Sequence, residues 1–138
     1  MQLTTKTEYS VRALVTLSES KDLLKSINTI CTEQKLPRKY VEQLFRKLRK
    51  SSLIDSVAGS KGGYFLKLAP SDITLGQIME VVENQPYSIS CERGKMHIDN
   101  CKIENCQYKA LWDGIYDNIR NYLNTITLED IKNRIEKE

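Results

Sequence analysis

Cys91, Cys101 and Cys106 fall within sixteen residues of one another, in a polar stretch with few bulky apolar side chains to bury a thiol. Thiolates are soft ligands that suit iron-sulfur clusters and zinc, and a loop arranges them around a metal more freely than a helix does. His97, the only histidine, would complete a Cys3His zinc site in the order Cys, His, Cys, Cys. On the residues alone three readings stay open: an iron-sulfur cluster, zinc, or unliganded thiols. Cys31 stands beside Ile30 in the expected second helix and reads as a small core residue.

A second concentration of chemistry lies between Lys35 and Lys50, where seven basic residues accompany one acid, Glu42. A local field of that sign attracts a polyanion. In this segment Val41, Leu44, Phe45 and Leu48 fall on one stripe of a helix, and Lys39, Gln43, Arg46, Lys47 and Lys50 fall on the opposite side. Arg38, Lys39, Tyr40 and Gln43 occupy the first turns, the end that a major-groove reader points at base edges. Arg and Gln suit purines, whereas Lys47 and Lys50 suit phosphates. For any one of these residues the plainer alternative is a solvated helix face.

Several elements must position these groups. Tyr9, Val11, Leu14, Val15 and Leu17 predict a first helix over residues 5–19. Ser26 is expected to cap a short second helix, and Pro37 at a first-turn position announces the basic third one. The β-prone stretch 53–57, then AGSKGG, then 64–68 predicts a hairpin whose tip carries Ser60 and Lys61 within reach of a phosphate. Thr74 with Gln77 resembles a capping box, opening a helix that buries Leu75, Ile78, Met79 and Val82. After the loop of residues 84–105, Tyr108, Leu111, Trp112, Ile115, Ile119, Tyr122 and Leu123 predict a long amphipathic helix. It carries more apolar surface than one small domain readily covers, which predicts a dimer contact through Leu111, Trp112, Ile115, Ile119 and Tyr122. Thr127 with Asp130 predicts a short last helix.

The expected architecture is therefore mainly α with a small β-hairpin wing: a winged helix-turn-helix followed by a long C-terminal dimerisation helix. Residues 1–83 form the DNA-binding part, 84–106 the cysteine loop, and 107–138 the dimerisation helix and tail. A two-fold dimer can place two reading helices about 34 Å, one DNA turn, apart. Charge is also uneven between the two halves of the chain, with 13 Lys and Arg against 6 Asp and Glu in residues 1–70, and 8 against 12 in residues 71–138. No apolar run approaches the roughly 20 residues needed to span a bilayer, and the charged start MQLTTKTEYSVRAL lacks a signal core, which predicts a cytoplasmic protein with reduced thiols. No nucleophile-and-base set and no phosphate-binding glycine fingerprint is present, so an enzyme is not expected.

MQLTTKTEYSVRAL, LPRKYVEQLFRKLRKSSLIDSVAGSKGGYFL, ITLGQIMEVVE, the three-cysteine loop and LWDGIYDNIRNYLNTITLEDI together resemble, almost end to end, the winged-helix bacterial regulators that include IscR, NsrR and CymR. The resemblance implies a homodimer whose long helices pair, whose third helix and wing contact a palindromic double-stranded operator, and whose cysteine loop holds an iron-sulfur cluster, with 2Fe-2S favoured over 4Fe-4S. Cys91, Cys101 and Cys106 match the cluster cysteines, although their gaps of nine and four residues are less even than in the best-known members. IscR-like members ligate through a histidine soon after the third cysteine, and QYKALW here offers none. The resemblance instead implies Glu8, donated by the other subunit, as the remaining ligand. The function it implies is a repressor that senses redox state, nitric oxide or iron-sulfur supply. The alternatives are a cluster-free regulator of the same fold answering to a partner protein or small molecule, and a zinc-stabilised protein-interaction module.

Overall fold

Side-chain hydroxyls open four of the helices. Thr4 Oγ1 accepts from the Lys6 amide, Ser26 Oγ from Thr29, Thr74 Oγ1 from Gln77 and Thr127 Oγ1 from Asp130, each satisfying a first-turn N–H that the helix itself leaves unpaired. At Thr74 and Thr127 the side chains of Gln77 and Asp130 return the bond, completing two capping boxes. The computed structural model describes residues 3–19, 24–84, 86, 106 and 108–138. Cys91, His97 and Cys101 lie outside the described residues.

The elements run α1 (Thr5–Ser18), α2 (Ile27–Gln34), α3 (Arg38–Lys50), β1 (Ile54–Val57), β2 (Gly63–Leu66), a 3-10 turn (Pro70–Asp72), α4 (Leu75–Val82), α5 (Lys109–Asn124) and α6 (Leu128–Ile135). The expected order holds, as a mainly helical winged helix-turn-helix with a long C-terminal helix. Pro37 takes the N-cap position of α3, one residue earlier than the sequence reading places it, because its φ of −68° and ψ of 118° are extended. Its missing N–H costs nothing there. Between α2 and α3, Lys35 adopts the left-handed conformation (φ 54°, ψ 45°), and the Leu36 amide returns to the Cys31 carbonyl at 2.9 Å. This closes α2 and buries Leu36, so the turn is part of the core.

β1 and β2 pair antiparallel, Ile54 opposite Leu66 and Val57 opposite Gly63. The chain before α2 adds to the hairpin, with Lys25 and Tyr64 exchanging backbone bonds of 3.0 and 2.8 Å. At Gly63 a Cβ would come within 2.8 Å of the Lys25 backbone, so glycine permits this approach. One core binds the head together: Leu14 and Leu17 of α1, Ile30 of α2, Val41, Phe45 and Leu48 of α3, Ile54 of β1 and Ile78 and Val82 of α4. Leu128 of α6 is fully buried in the same core, so the last helix packs back onto the head next to α1 and the 3-10 turn. Met79 and Leu123 form a second, smaller cluster with Leu75, Tyr116 and Ile119, which seats α5 on α4. Among the described residues no helix is long and apolar enough to cross a membrane.

Candidate nucleic-acid interface and thiol site

Helix α3 buries Val41, Leu44, Phe45 and Leu48. With about 100° between successive residues, Lys39, Gln43, Arg46 and Lys50 share a stripe about 60° wide directly opposite them. All four are exposed, and no ion pair among the described residues involves Lys39, Arg46 or Lys50. The stripe is thus a cationic and amide-bearing ridge held by a fixed apolar base.

The flanks of α3 are already engaged within the head. On one side Arg38 Nε bonds Glu42 at 3.0 Å and Arg49 Nε bonds Asp55 of β1 at 3.0 Å. Asp55 is held below the usual carboxylate range, chiefly by the Ser56 N–H and then by Arg49. On the other side the Tyr40 ring stands edge-on to Tyr9, with centroids 5.7 Å apart, and Lys47 Nζ donates to the Val82 carbonyl at 3.1 Å. Of the nine residues expected at DNA, the structure gathers Lys39, Gln43, Arg46 and Lys50 on the open ridge. Arg38 sits beside it in an exposed ion pair, and Tyr40 and Lys47 are half-buried and committed. Ser60 and Lys61 are exposed at the wing tip, where Gly59 takes a φ of 111° and its carbonyl accepts from Gly62 at 3.1 Å. The Phe45 and Tyr64 rings, 4.8 Å apart, fix the wing against α3.

Glu8 lies in the first turn of α1 with its side chain 60% exposed, beside an apolar-walled cavity of about 460 Å³ lined by Leu3, Thr4, Val11 and Leu75. Its carboxylate meets Arg12 Nη1 at 3.4 Å. Arg12 in turn donates through Nη2 to the Gln34 carbonyl at 2.6 Å, at the end of α2. Cys106 is a half-buried free thiol ahead of α5. Among the described residues no group of three or more His, Cys, Asp or Glu side chains is placed to hold a metal. Cys31 is buried in α2, and that burial pushes its thiol up, so it stands apart as the sequence reading expects.

Two connections were invisible to sequence reasoning. Arg12 reads simply as a polar position on α1, and Glu83 as the acid that ends α4. Yet Glu83 is only 9% exposed and accepts from the hydroxyls of both Thr4 and Thr7, the latter at 2.9 Å. An acid directly after the apolar run of α4 is the one local hint of this.

Tyr108 at the N-cap of α5 and Leu111, Trp112, Ile115 and Tyr122 along it are exposed, at 41% for Trp112 and 63% for Tyr122. Ile119, expected among the dimer contacts, is half-buried against the Met79 and Leu123 cluster. It lies on the edge of the apolar stripe that α4 grips.

Compared with known proteins, residues 3–134 match the Rrf2 family, described as an iron-dependent transcriptional regulator. The chain is similar to the HTH-type transcriptional regulator IscR of Pectobacterium carotovorum, with 32% identity over 138 residues covering 99% of this chain and 82% of that one. Its identity to IscR of Escherichia coli O1:K1 is 33%, covering 99% and 83%. Two solved structures have the same fold at a TM-score of 0.76. One is CymR, the global cysteine regulator of B. subtilis, 27% identical and covering 97% of this chain and 98% of that one. The other is T. potens IscR, 30% identical and covering 99% and 90%.

Proposed function

This chain belongs to the Rrf2 family of helix-turn-helix transcription regulators, and from that premise we propose that it acts as a homodimeric repressor whose operator affinity is set by an iron-sulfur cluster. The observation that carries the DNA half is the unpaired ridge of Lys39, Gln43, Arg46 and Lys50, backed by buried Val41, Leu44, Phe45 and Leu48. In the major groove Gln43 would read an adenine edge, and the three cations would release counterions from phosphates or pair with guanine. Lys61 and Ser60 at the wing would hold the neighbouring backbone. Paired α5 helices would present two such ridges to the halves of a palindrome.

The cofactor half rests on donor chemistry: three soft thiols in one short segment, and an accessible carboxylate in the first turn of α1. Cys91, Cys101 and Cys106 would hold the cluster and Glu8 of the other subunit would complete it, with 2Fe-2S the favoured form. When bound, the group supplies a centre that oxidants, nitric oxide and iron supply can alter. The chain's own part is positional. Glu8 is bonded to Arg12, and Arg12 to the carbonyl that ends α2, so a change in the partner of Glu8 reaches the turn before α3. A cluster-free regulator answering to a small molecule is the second reading, favoured by the apolar cavity beside Glu8 and by the similarity to CymR.

Duplexes enriched from genomic fragments test the DNA half. The logarithm of the affinity should fall linearly with the logarithm of salt concentration, and Lys39→Ala or Arg46→Ala should each flatten that slope by about one unit. Salt-insensitive binding, or binding untouched by both substitutions, would remove the duplex as target. Anaerobic iron and acid-labile sulfide analysis tests the cofactor half, and Glu8→Ala should alter the absorption spectrum. A colourless protein with stoichiometric zinc would replace the cluster by the Cys3His site with His97.

A further inference from the structure

Glu83 directly follows α4 where the chain continues towards the cysteine segment, and the residue is buried. Burying a carboxylate costs several kcal/mol unless hydrogen bonds replace its lost water. Here the replacements are two hydroxyls at the start of α1, those of Thr4 and Thr7. The Thr4 hydroxyl is also the N-cap of α1, accepting from the Lys6 amide at 3.1 Å while it donates to Glu83. The same residue's carbonyl accepts the Glu8 amide at 3.1 Å. Glu83 is therefore built into the cap of the helix turn that carries Glu8.

One residue earlier, the Val82 carbonyl is a last-turn acceptor that α4 leaves open, and Lys47 of α3 fills it from 35 positions away. A cation at a helix C-terminus is favoured by the helix dipole, and the long stem of Lys47 lies half-buried to reach it. Two adjacent residues at the end of α4 are thus gripped by two different helices, α1 through Glu83 and the reading helix α3 through Val82.

We propose that Glu83 and Lys47 are positioning residues that transmit the state of the thiol segment to α3, and that Lys47 serves as this tether and not as a phosphate contact. The proposal rests on the reading that the loop thiols sense a cofactor. Displacing the chain after Glu83 would pull on the α1 cap and on α3 together, because neither the carboxylate nor the Val82 carbonyl can be released into the core without a partner.

The test compares duplex affinity of anaerobically reconstituted protein with that of the same protein stripped by a chelator. A change of about 5- to 150-fold is expected for the unaltered chain, the usual range of coupling between sites. Glu83→Ala should bring that ratio to within about twofold, Glu83→Gln, which keeps an acceptor, should retain part of it, and Lys47→Met should lower it without changing the salt slope. Amide exchange of residues 38–50 provides a readout independent of iron. Alkylating the loop thiols with iodoacetamide should shift it in the unaltered chain and leave it unchanged in Glu83→Ala. A folded Glu83→Ala protein that keeps the full ratio, a Lys47→Met protein whose salt slope drops by one, or α3 exchange that ignores alkylation in the unaltered chain would overturn the proposal. If the unaltered chain binds neither iron nor sulfide, the cofactor reading fails by itself, and the exchange measurement still decides the tether.

Discussion

At the scale of single residues, environment separates groups that composition treats alike. Cys31 and Cys106 are both free thiols, but Cys31 lies within the core of α2 while Cys106 is half-exposed. Burial raises the Cys31 thiol above its ordinary value, with Glu42 adding to the rise and Arg38 opposing it. Since the thiolate is the reacting species, folded protein stripped of any metal and treated with iodoacetamide at neutral pH should be labelled at Cys106 well before Cys31. Peptide mass spectrometry reads the order, and equal labelling would contradict the placement of α2. Asp130 makes the corresponding case among the acids. The Thr127 N–H, and then its hydroxyl, hold this carboxylate below the usual range. A depressed folded value means that its stabilisation is fully present above the ordinary carboxylate pKa of about 3.9 and is lost as pH falls through the lower folded one. Asp130→Ala should therefore lower the melting temperature at neutral pH, and the gap to the unaltered chain should close in strong acid. A gap that persists there would assign the effect to something other than the cap.

At the scale of elements, the seam between α4 and α5 is set by a missing side chain. A Cβ on Gly76 would stand 2.1 Å from Asn124 Oδ1, an atom that the Thr74 hydroxyl holds at 3.0 Å. Glycine inside a helix is normally worth replacing, since Ala is better by about 1 kcal/mol. Here Gly76→Ala should instead destabilise the fold, by about 1 kcal/mol net, because overpacking outweighs propensity. Adding Asn124→Ala should restore much of the loss. Urea titration of both single variants and the double variant measures that coupling, and strict additivity would show that the two helices do not meet through this pair. The wing and α3 are joined through Phe45 against Tyr64 and Arg49 to Asp55, which anchors both strands of the hairpin to the helix that carries the ridge.

At the scale of the whole molecule, charge and apolar surface point in different directions. The head carries the basic ridge, while α5, seated on α4 through Tyr116, Ile119 and Leu123, leaves Leu111, Trp112, Ile115 and Tyr122 exposed. Four large apolar side chains on one helix face form the kind of patch that a second copy covers. If the proposed homodimer pairs through α5, Ile115→Glu should leave the monomer folded, since Ile115 is exposed in it, yet shift light-scattering mass to a single chain and weaken binding to a palindromic duplex more than to a half-site. Ile119→Glu should act differently, lowering stability through the Met79 and Leu123 cluster. A dimer that survives Ile115→Glu would move the pairing surface away from α5.

Local physics is written in neighbouring residues, and the sequence alone determined what depends on it. Periodicity placed α1, α3 and α5, and hydroxyl-plus-Gln or hydroxyl-plus-Asp spacing marked the caps at Thr74 and Thr127. The opposition of Val41, Leu44, Phe45 and Leu48 to Lys39, Gln43, Arg46 and Lys50 was visible as a helix face. Tertiary structure decided which of the charged and apolar side chains on those faces remain available. Lys47 is taken by Val82 and Arg49 by Asp55, Tyr40 leans on Tyr9, Ile119 turns to α4, and α6 returns to the core through Leu128. Each of these outcomes depends on a partner from another element, and the periodicity of one helix carries no information about where the chain brings the next one. Glu83 is the extreme example. Its burial follows entirely from the N-terminus of α1, 76 and 79 residues away, arriving over it.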